Sequence, residues 1–193
     1  MRWTLALTFL TLGAHAAAQT LPRVSVQTTL GTIVLEIDSA KAPSTAANFL
    51  RYVDAHSYDG GAFHRTVTMG NQPDKTVKIE VIQAGMDAKL GFKAFGPIGL
   101  ERTNKTGLKH MTGTVSMARN GPDTGEDQFF ICVTDQPELD FGGKRNPDGQ
   151  GFAAFGRVLT GMAVVTKIQQ SPADGQKLTP PIRITTMVRL PNR

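Results

Sequence analysis

The sequence predicts a mainly β protein whose strands form a closed or nearly closed barrel with helices over its ends. About eight short apolar or alternating segments have the pattern of strands, and only two segments have helical spacing. Twenty glycines and eleven prolines place turns between these segments. A parallel α/β sheet is disfavoured, because two helices are too few to connect its strands.

The strands are recognised from alternating polarity and from β-branched runs between turns. Residues 24–28 and 32–37 flank the turn Leu30-Gly31 and predict an N-terminal hairpin. The remaining predicted strands are Ala62–Val67 and residues 78–84, 113–118, 128–133, 152–158 and 182–190.

Two segments predict helices. Pro43 suits the first turn of a helix, where its missing N–H would have no intrahelical partner in any case. The apolar residues that follow it at helical spacing are Ala46, Phe49, Leu50 and Val53. The second helix is predicted over Met162–Gln169, with its apolar face formed by Met162, Val165 and Ile168.

The first 18 residues differ from the rest of the chain. Arg2 precedes an apolar run over residues 3–12, and small residues follow up to Ala18. This order is typical of a secretory signal peptide, and the run is too short to span a bilayer. We therefore expect a signal peptide over residues 1–18, a mature domain over residues 19–193, and export to the periplasm or otherwise to the medium. A buried N-terminal helix is disfavoured because the run has no polar face.

Charge and cysteine content exclude several function classes. The net charge is +5, but the longest basic run is Lys144-Arg145, so a nucleic-acid interface is not expected. A single cysteine, Cys132, lies in an apolar strand and is read as a structural thiol. The histidines lack metal-ligand spacing, so neither a metal nor another cofactor is expected. No heptads or exposed apolar stripe appear, and we expect a monomer without a membrane anchor.

Strand alternation suggests which side chains share a face. Phe63 and Arg65 would share one face of their strand, with His64 on the other. Val81 and Gln83 would share a face of the next strand. Gln128, Phe130 and Cys132 would do the same on a third strand. These residues would form a polar site above an apolar floor, although Phe63 as plain core and Arg65 as an edge charge remains an alternative.

Six short strings in this order resemble the cyclophilin family of peptidyl-prolyl cis–trans isomerases, across residues 21–190. They are Phe63-His64-Arg65, Gln83-Ala84-Gly85, Gly113-Thr114-Val115-Ser116-Met117-Ala118-Arg119, Gln128-Phe129-Phe130-Ile131, Leu139-Asp140 and Phe155-Gly156. The likeness is strongest to the exported bacterial branch, with Met117-Ala118-Arg119 and an apolar Phe152. The resemblance implies a closed eight-stranded antiparallel barrel capped by two α-helices, with a peptide-binding active site on its outer face.

The resemblance also implies roles for individual residues. Arg65 matches the essential catalytic arginine, and Gln83 matches the glutamine that orders it. The residues at positions that line the proline pocket are Phe130, Val81 and Leu139. Gln128 and the backbone of Ala118 and Arg119 match the groove that hydrogen-bonds the peptide. His64 is read as structural. The implied reaction is rotation about the bond before a proline, in which Arg65 stabilises the twisted amide without a covalent intermediate.

Four departures from the family pattern stand out. Seventeen residues separate Arg65 from Gln83, so residues 69–78 are read as an extra polar loop beside the site. Glu80 falls where a pocket phenylalanine is usual in the family, which predicts an altered pocket wall. Glu138 replaces an aromatic residue that contacts cyclosporin in relatives, so weak cyclosporin binding is expected. Residues 144–151 are read as a solvent loop rather than part of a site.

Two function hypotheses remain open. The first is an exported isomerase that acts on proline-containing peptides and unfolded secreted proteins, and the retained Arg65 favours it. The second is a non-catalytic proline-peptide-binding chaperone module of the same fold, suggested by Glu80 and the longer loop. A nucleic-acid binder rests on net charge alone and would require strongly salt-dependent DNA binding.

Overall fold

The computed structural model describes residues 20–191, which form a closed ring of eight antiparallel strands. The strands are β1 (Arg23–Thr28), β2 (Gly31–Ile37), β3 (Ala62–Val67), β4 (Val81–Gly85), β5 (Thr114–Met117), β6 (Phe129–Cys132), β7 (Ala153–Thr160), β8 (Ala173–Asp174) and β9 (Lys177–Leu190). The order around the ring is β1-β2-β7-β5-β6-β4-β3-β9, and β9 pairs with β1 to close it. The two-residue β8 pairs with β9 beside the ring. The predicted eight-stranded antiparallel barrel is confirmed.

The two predicted helices are present, together with a one-turn helix that the sequence did not indicate. They are α1 (Pro43–Asp54), α2 (Thr103–Thr106) and α3 (Met162–Gln169). Pro43 occupies the first turn of α1, as its fixed φ favours. Two 3-10 turns, Ala88–Leu90 and Pro137–Leu139, lie in the connecting loops.

Some strands begin at residues other than those predicted, because strand pairing does not start where the apolar pattern starts. β3 and α3 have the predicted bounds. β9 begins at Lys177 rather than residue 182, because its first residues form a hairpin with β8. β4 begins at Val81 rather than residue 78, because the ladders with β3 and β6 start there. An apolar pattern reports burial, whereas a ladder also requires a paired neighbour.

The barrel interior and the helix α1 form one apolar core. Phe49 of α1 is fully buried at its centre, with ring centroids 5.6 Å from Tyr58, 5.3 Å from Phe129 and 5.1 Å from Phe155. The pair with Phe129 is close to edge-on, a favoured aromatic geometry. These contacts join α1 to β6 and β7, so the helix is fixed against the strands that carry the outer face.

A bulge in β3 corrects the predicted face of Phe63. Phe63 pairs with Ala84 and Arg65 pairs with Gln83, so two residues of β3 span one step of β4. Such an extra residue reverses the alternation beyond it. Phe63 therefore lies in the core, while Arg65 lies outside the barrel beside Gln83. The prediction that Phe63 and Arg65 share a face is wrong, because simple alternation holds only for an unbroken strand.

The predicted leader, residues 1–18, lies outside the described residues. Among residues 20–191, no helix is long and apolar enough to cross a membrane. Within the same range, no group of three or more His, Cys, Asp or Glu side chains is arranged to hold a metal ion.

Replacing Phe49 with alanine should lower the free energy of unfolding by about 3–5 kcal/mol, because the cavity left in the core cannot be filled by rigid strands. Urea denaturation, followed by far-ultraviolet circular dichroism, measures the change in the free energy of unfolding. Phe141→Ala is the matched control: Phe141 is 40% exposed, and its loss should cost no more than about 0.5 kcal/mol. Equal losses for the two variants would contradict this placement of the core.

Candidate active site on the outer face of the barrel

A groove of about 590 Å³ runs over the outer face of β3, β4 and β6 and the loops beside them. Seven of the eight residues predicted for the site line it: Arg65, Gln83, Ala118, Arg119, Gln128, Phe130 and Leu139. The groove joins a polar row on one side to an apolar floor on the other. The structure thus brings together residues that are 74 positions apart in the chain, from Arg65 to Leu139.

The polar row is a chain of hydrogen bonds centred on Arg65. Its Nη1 donates to Oε1 of Gln83 at 2.8 Å, and Nε2 of Gln83 donates to Oε1 of Gln128 at 2.6 Å. On the other side, Nε and Nη2 of Arg65 both donate to Oε1 of Gln176, at 3.0 and 2.6 Å. The guanidinium is half-buried, and burial lowers its pKa from the usual value. Neutral amides therefore fix its orientation without neutralising its charge.

The apolar floor is formed by four side chains: Ile79, Phe130, Leu139 and Phe152. Phe130 and Phe152 meet edge-on at 5.3 Å, and Leu139 is 1% exposed. Phe130 and Leu139 belong, with Ile79, Val67 and Cys132, to an apolar cluster outside the barrel wall. A hydrophobic pocket thus adjoins the charged guanidinium.

Val81 packs beside residues that line the groove. It is 3% exposed and lies within the same outer cluster, where it pairs with Cys132 of β6 and Val67 of β3. Leu139 is at least as buried and lines the groove, so the lining role of Val81 stays a prediction. Ile79, two residues earlier on the same face, supplies that part of the wall.

Glu80 does not enter the pocket either. Its carboxylate accepts a hydrogen bond from the Thr134 hydroxyl at 3.1 Å, and its carbonyl accepts one from Val133 at 2.9 Å. The side chain thus lies on the opposite side of the chain from Ile79. Ile79, not the Glu80 carboxylate, therefore forms this wall of the pocket.

Phe130 is supported from behind by a buried polar trio. The Nδ1 of His110 lies 2.8 Å from Oδ1 of Asp140, and its Nε2 lies 2.9 Å from Oγ of Ser116. The His110 ring stacks on Phe130 at 6.0 Å and 14°. This order of residues is that of a hydrolase triad, but Ser116 is fully buried and His110 is 1% exposed. With no access for substrate, the trio holds Phe130 in place instead.

The carboxylate of Asp140 remains ionised within this trio. Burial alone would raise its pKa, but hydrogen bonds from the side chain and backbone of His110 and the nearby Lys109 charge together lower it. The Lys109 Nζ lies 3.5 Å from Oδ2 of Asp140. An ionised Asp140 only accepts hydrogen bonds, so the Nδ1–H of His110 donates to it.

Side chains of α1 and of the segment that follows it fix the end of the groove near Gln128. The amide of Asn48 donates to the carbonyl of Glu126 at 2.5 Å. The hydroxyl of Tyr58 donates to the carbonyl of Asp127 at 2.5 Å. Both donors are themselves buried, so the segment that precedes β6 cannot shift without breaking core contacts.

Residues 69–78 form an ordered polar loop beside the site, as predicted. The amide of Asn71 donates to the carbonyls of Thr66 and Gly175, each at 3.0 Å. The carbonyl of Asn71 accepts from Nε2 of Gln176 at 3.1 Å. Through Gln176 this loop therefore helps to hold the guanidinium of Arg65 in place.

Residues 144–151 also reach the groove, which corrects their reading as a solvent loop. Arg145 and Asn146 line it. Arg119 anchors the segment: Nη1 and Nη2 bind the Asp148 carboxylate at 2.8 and 2.9 Å, and Nε donates to the carbonyl of Gly151 at 2.7 Å. The hydrogen bonds from Arg119 lower the pKa of Asp148 to about 2. The side chain of Arg119, only 3% exposed, thus serves the loop.

Sequence reasoning missed several residues that shape the site, among them Ile79, Gln176 and Arg145. Ile79 was detectable, because it shares the alternation of Val81 and Gln83. Gln176 and Arg145 had no local signal, since they reach the site from positions 111 and 80 residues after Arg65. Contacts over such distances depend on how the barrel closes.

The groove offers binding and electrostatic stabilisation rather than a nucleophile. Cys132 is buried within the outer cluster, and burial raises the pKa of its thiol. The structural role predicted for this thiol is confirmed. A ligand in the groove would meet an apolar pocket, a positively charged donor and a row of amides. Such groups suit a partly apolar ligand whose charge distribution changes during reaction.

Comparison with known proteins agrees with this geometry. The family model for cyclophilin type peptidyl-prolyl cis-trans isomerases matches residues 23–189. A peptidyl-prolyl cis-trans isomerase of Acinetobacter baylyi is 37% identical over 84% of this chain and 79% of its own. The peptidyl-prolyl cis-trans isomerase cyp18 of Streptomyces antibioticus is 40% identical over 76% of this chain and 82% of its own.

Solved structures show the same fold. A cyclophilin type peptidyl-prolyl cis-trans isomerase of Cryptosporidium parvum superposes with a TM-score of 0.71 at 23% identity, covering 90% of this chain and 99% of its own. A structure of that protein in the presence of the dipeptide Ala-Pro gives a TM-score of 0.70. On its family match and its relatives, this chain belongs to the cyclophilin-type peptidyl-prolyl cis–trans isomerases and is an enzyme of the isomerase class.

Proposed function

We propose that the groove catalyses rotation of X-Pro peptide bonds, with Arg65 stabilising the twisted amide. The observation that carries this proposal is the guanidinium of Arg65, held by Gln83 and Gln176 beside the pocket of Phe130 and Leu139. A proline ring fills the pocket, and the charged donor then lies next to the bond that turns.

The reaction requires no covalent step. Rotation is opposed by about 18–20 kcal/mol, because the nitrogen lone pair is delocalised into the carbonyl. As the bond twists, the nitrogen becomes pyramidal and recovers its lone pair. Arg65 donates a hydrogen bond to the proline carbonyl and to this nitrogen, and the second bond forms only in the twisted state. The twisted state is therefore bound more tightly than either isomer.

Arg65 does not supply the whole rate enhancement. A hydrogen bond from a charged group contributes about 1.5–3 kcal/mol, whereas a 10⁶-fold acceleration requires about 8 kcal/mol. The remainder comes from the apolar pocket, which removes water from the amide, and from the groove, which orients the peptide. Phe130 lines the pocket that removes water, and the fixed segment before β6 helps to orient the peptide.

The polar row sets the direction of the peptide. Gln128 and the backbone of Ala118 bind residues before the proline, while Arg65 lies at the proline carbonyl. The chain after the proline then continues past Arg65, towards the rim formed by Arg145. The relative crystallised in the presence of Ala-Pro supports a proline ligand for this fold.

Arg65→Ala should reduce kcat/KM for an Ala-Pro peptide by about 10²–10³-fold, by analogy with the loss of one preorganised donor at other sites. Exchange NMR between the cis and trans peptide measures the rate without a coupling protease. Arg23→Ala, on the exposed face of β1, is the control and should retain the wild-type rate.

The same experiment tests the alternative of a non-catalytic proline-peptide-binding module. A wild-type protein that binds the peptide without accelerating exchange would establish that module and overturn the isomerase mechanism. An active wild type with an equally active Arg65→Ala variant would remove Arg65 from the mechanism instead.

We also propose that residues 1–18 direct export and that the mature enzyme acts, as a monomer, on secreted polypeptides in the periplasm or otherwise in the medium. The charged, apolar and small-residue order of this segment supports export. The full chain should appear in the periplasmic or external fraction, trimmed near Ala18, whereas a chain lacking residues 2–18 should stay in the cytosol. Retention of the full chain in the cytosol would contradict this. Light scattering of the purified mature protein tests the monomer.

Weak cyclosporin binding is proposed from Glu138. Its carboxylate accepts a hydrogen bond from the backbone N–H of Lys144 at 2.7 Å, so it is committed to the loop and offers no aromatic surface. We expect poor inhibition of prolyl isomerisation by cyclosporin in the exchange assay. Inhibition at nanomolar concentrations would contradict this expectation.

A further inference from the structure

The rim of the groove beside Arg65 carries a second guanidinium, that of Arg145. Both side chains are half-buried and line the groove. Among residues 20–191, no carboxylate oxygen lies within 4 Å of either guanidinium. Arg119, the third arginine of the groove, is neutralised by Asp148. Two positive charges without carboxylate partners therefore stand together at one end of the groove.

Arg145 is held in place rather than free in solvent. Its Nη1 donates to the carbonyl of Val77 at 2.6 Å, which connects residues 144–151 to the loop of residues 69–78. Its backbone N–H donates to the carbonyl of Glu138 at 3.2 Å. One hydrogen bond to a carbonyl satisfies only part of a guanidinium, so other N–H groups of Arg145 are available to a ligand.

The loop that carries Arg145 is packed closely against the Pro137–Leu139 turn. A Cβ at Gly143 would clash with the carbonyl of Glu138. A Cβ at Gly151, where φ is +65°, would clash with the backbone of Asp140. Only glycine allows this approach, and it fixes the loop at both ends. The position of Arg145 is thus preorganised, which reduces the entropy lost when it binds a ligand.

The two ends of the groove differ in charge. Burial and the nearby positive charge of Arg65 both lower the pKa of Arg145. At the other end, near Gln128, the groove is lined by Glu126 and Asp127. Charges in a partly desolvated cleft are screened less than on an open surface. A peptide with a negative side chain is therefore attracted to the arginine end and repelled from the other.

We propose that Arg145 is a specificity-determining residue that binds the carboxylate of an aspartate or glutamate directly after the proline. This inference rests on the proposed isomerase function and its peptide direction, in which the chain after the proline passes Arg65 towards Arg145. The guanidinium and carboxylate match in geometry and charge, and the bond forms at a half-buried position.

Two peptide pairs test the proposal by exchange NMR: Ala-Ala-Pro-Glu-Ala against Ala-Ala-Pro-Gln-Ala, and Ala-Glu-Pro-Ala-Ala against Ala-Gln-Pro-Ala-Ala. Glutamate and glutamine have nearly the same shape, so their ratio of kcat/KM isolates the charge. The wild type should prefer glutamate after the proline by about three- to ten-fold, the range for a partly buried charge-assisted pair. It should show no preference for glutamate before the proline.

Variants assign the preference to Arg145. In Arg145→Gln the ratio of kcat/KM should fall to about one, and in Arg145→Lys part of the preference should remain, because the charge is retained but the bidentate geometry is lost. Arg23→Gln removes the same charge from the exposed β1 face and should keep the wild-type ratio. Rising salt should reduce the wild-type ratio and leave that of Arg145→Gln unchanged.

The outcomes separate this proposal from the isomerase function. If the wild type turns over both neutral peptides but shows no glutamate preference, the role of Arg145 is refuted and the isomerase function stands. A preference that survives in Arg145→Gln, or that appears only for glutamate before the proline, also refutes it. If no peptide is isomerised, the proposed function itself fails.

Discussion

The half-buried guanidinium of Arg65, bound by neutral amides, is the constraint on which the outer face depends. A carboxylate partner would hold the side chain more strongly but would cancel the charge that the proposed mechanism requires. Gln83 and Gln176 avoid this conflict, since they fix orientation and leave the charge intact. Each amide must in turn be placed by a rigid element, and for Gln83 that element is the barrel wall.

Two long loop segments form part of the site. Residues 69–78 hold Gln176 through Asn71, and residues 144–151 bring Arg145 to the rim. The hydrogen bond from Arg145 to Val77 joins the two segments. Loops tolerate insertion more readily than strands, because they lie outside the ladder and the core. Variation there can change which peptides bind while the floor of Phe130 and Leu139 stays the same.

Alternation along the strands accounts for most of what could be predicted. It placed Val81 with Gln83, and Gln128 with Phe130, on one face of their strands, because a pleated strand has a period of two. It failed at Phe63, where the bulge in β3 adds a residue that no composition or spacing reveals.

By itself, the sequence determined the barrel, the two main helices and the seven lining residues that lie within the matched strings, because these depend on local periodicity and short motifs. Only the tertiary structure decided that Gln176 holds Arg65, that the trio of His110, Asp140 and Ser116 supports Phe130, and that Arg145 faces the groove. The physical reason is that these contacts join segments far apart in the chain. Pairing of β9 with β3 brings Gln176 to Arg65, and loop contacts outside the ladders bring His110 to Asp140 and Arg145 to Val77; no local pattern encodes which side chains then meet.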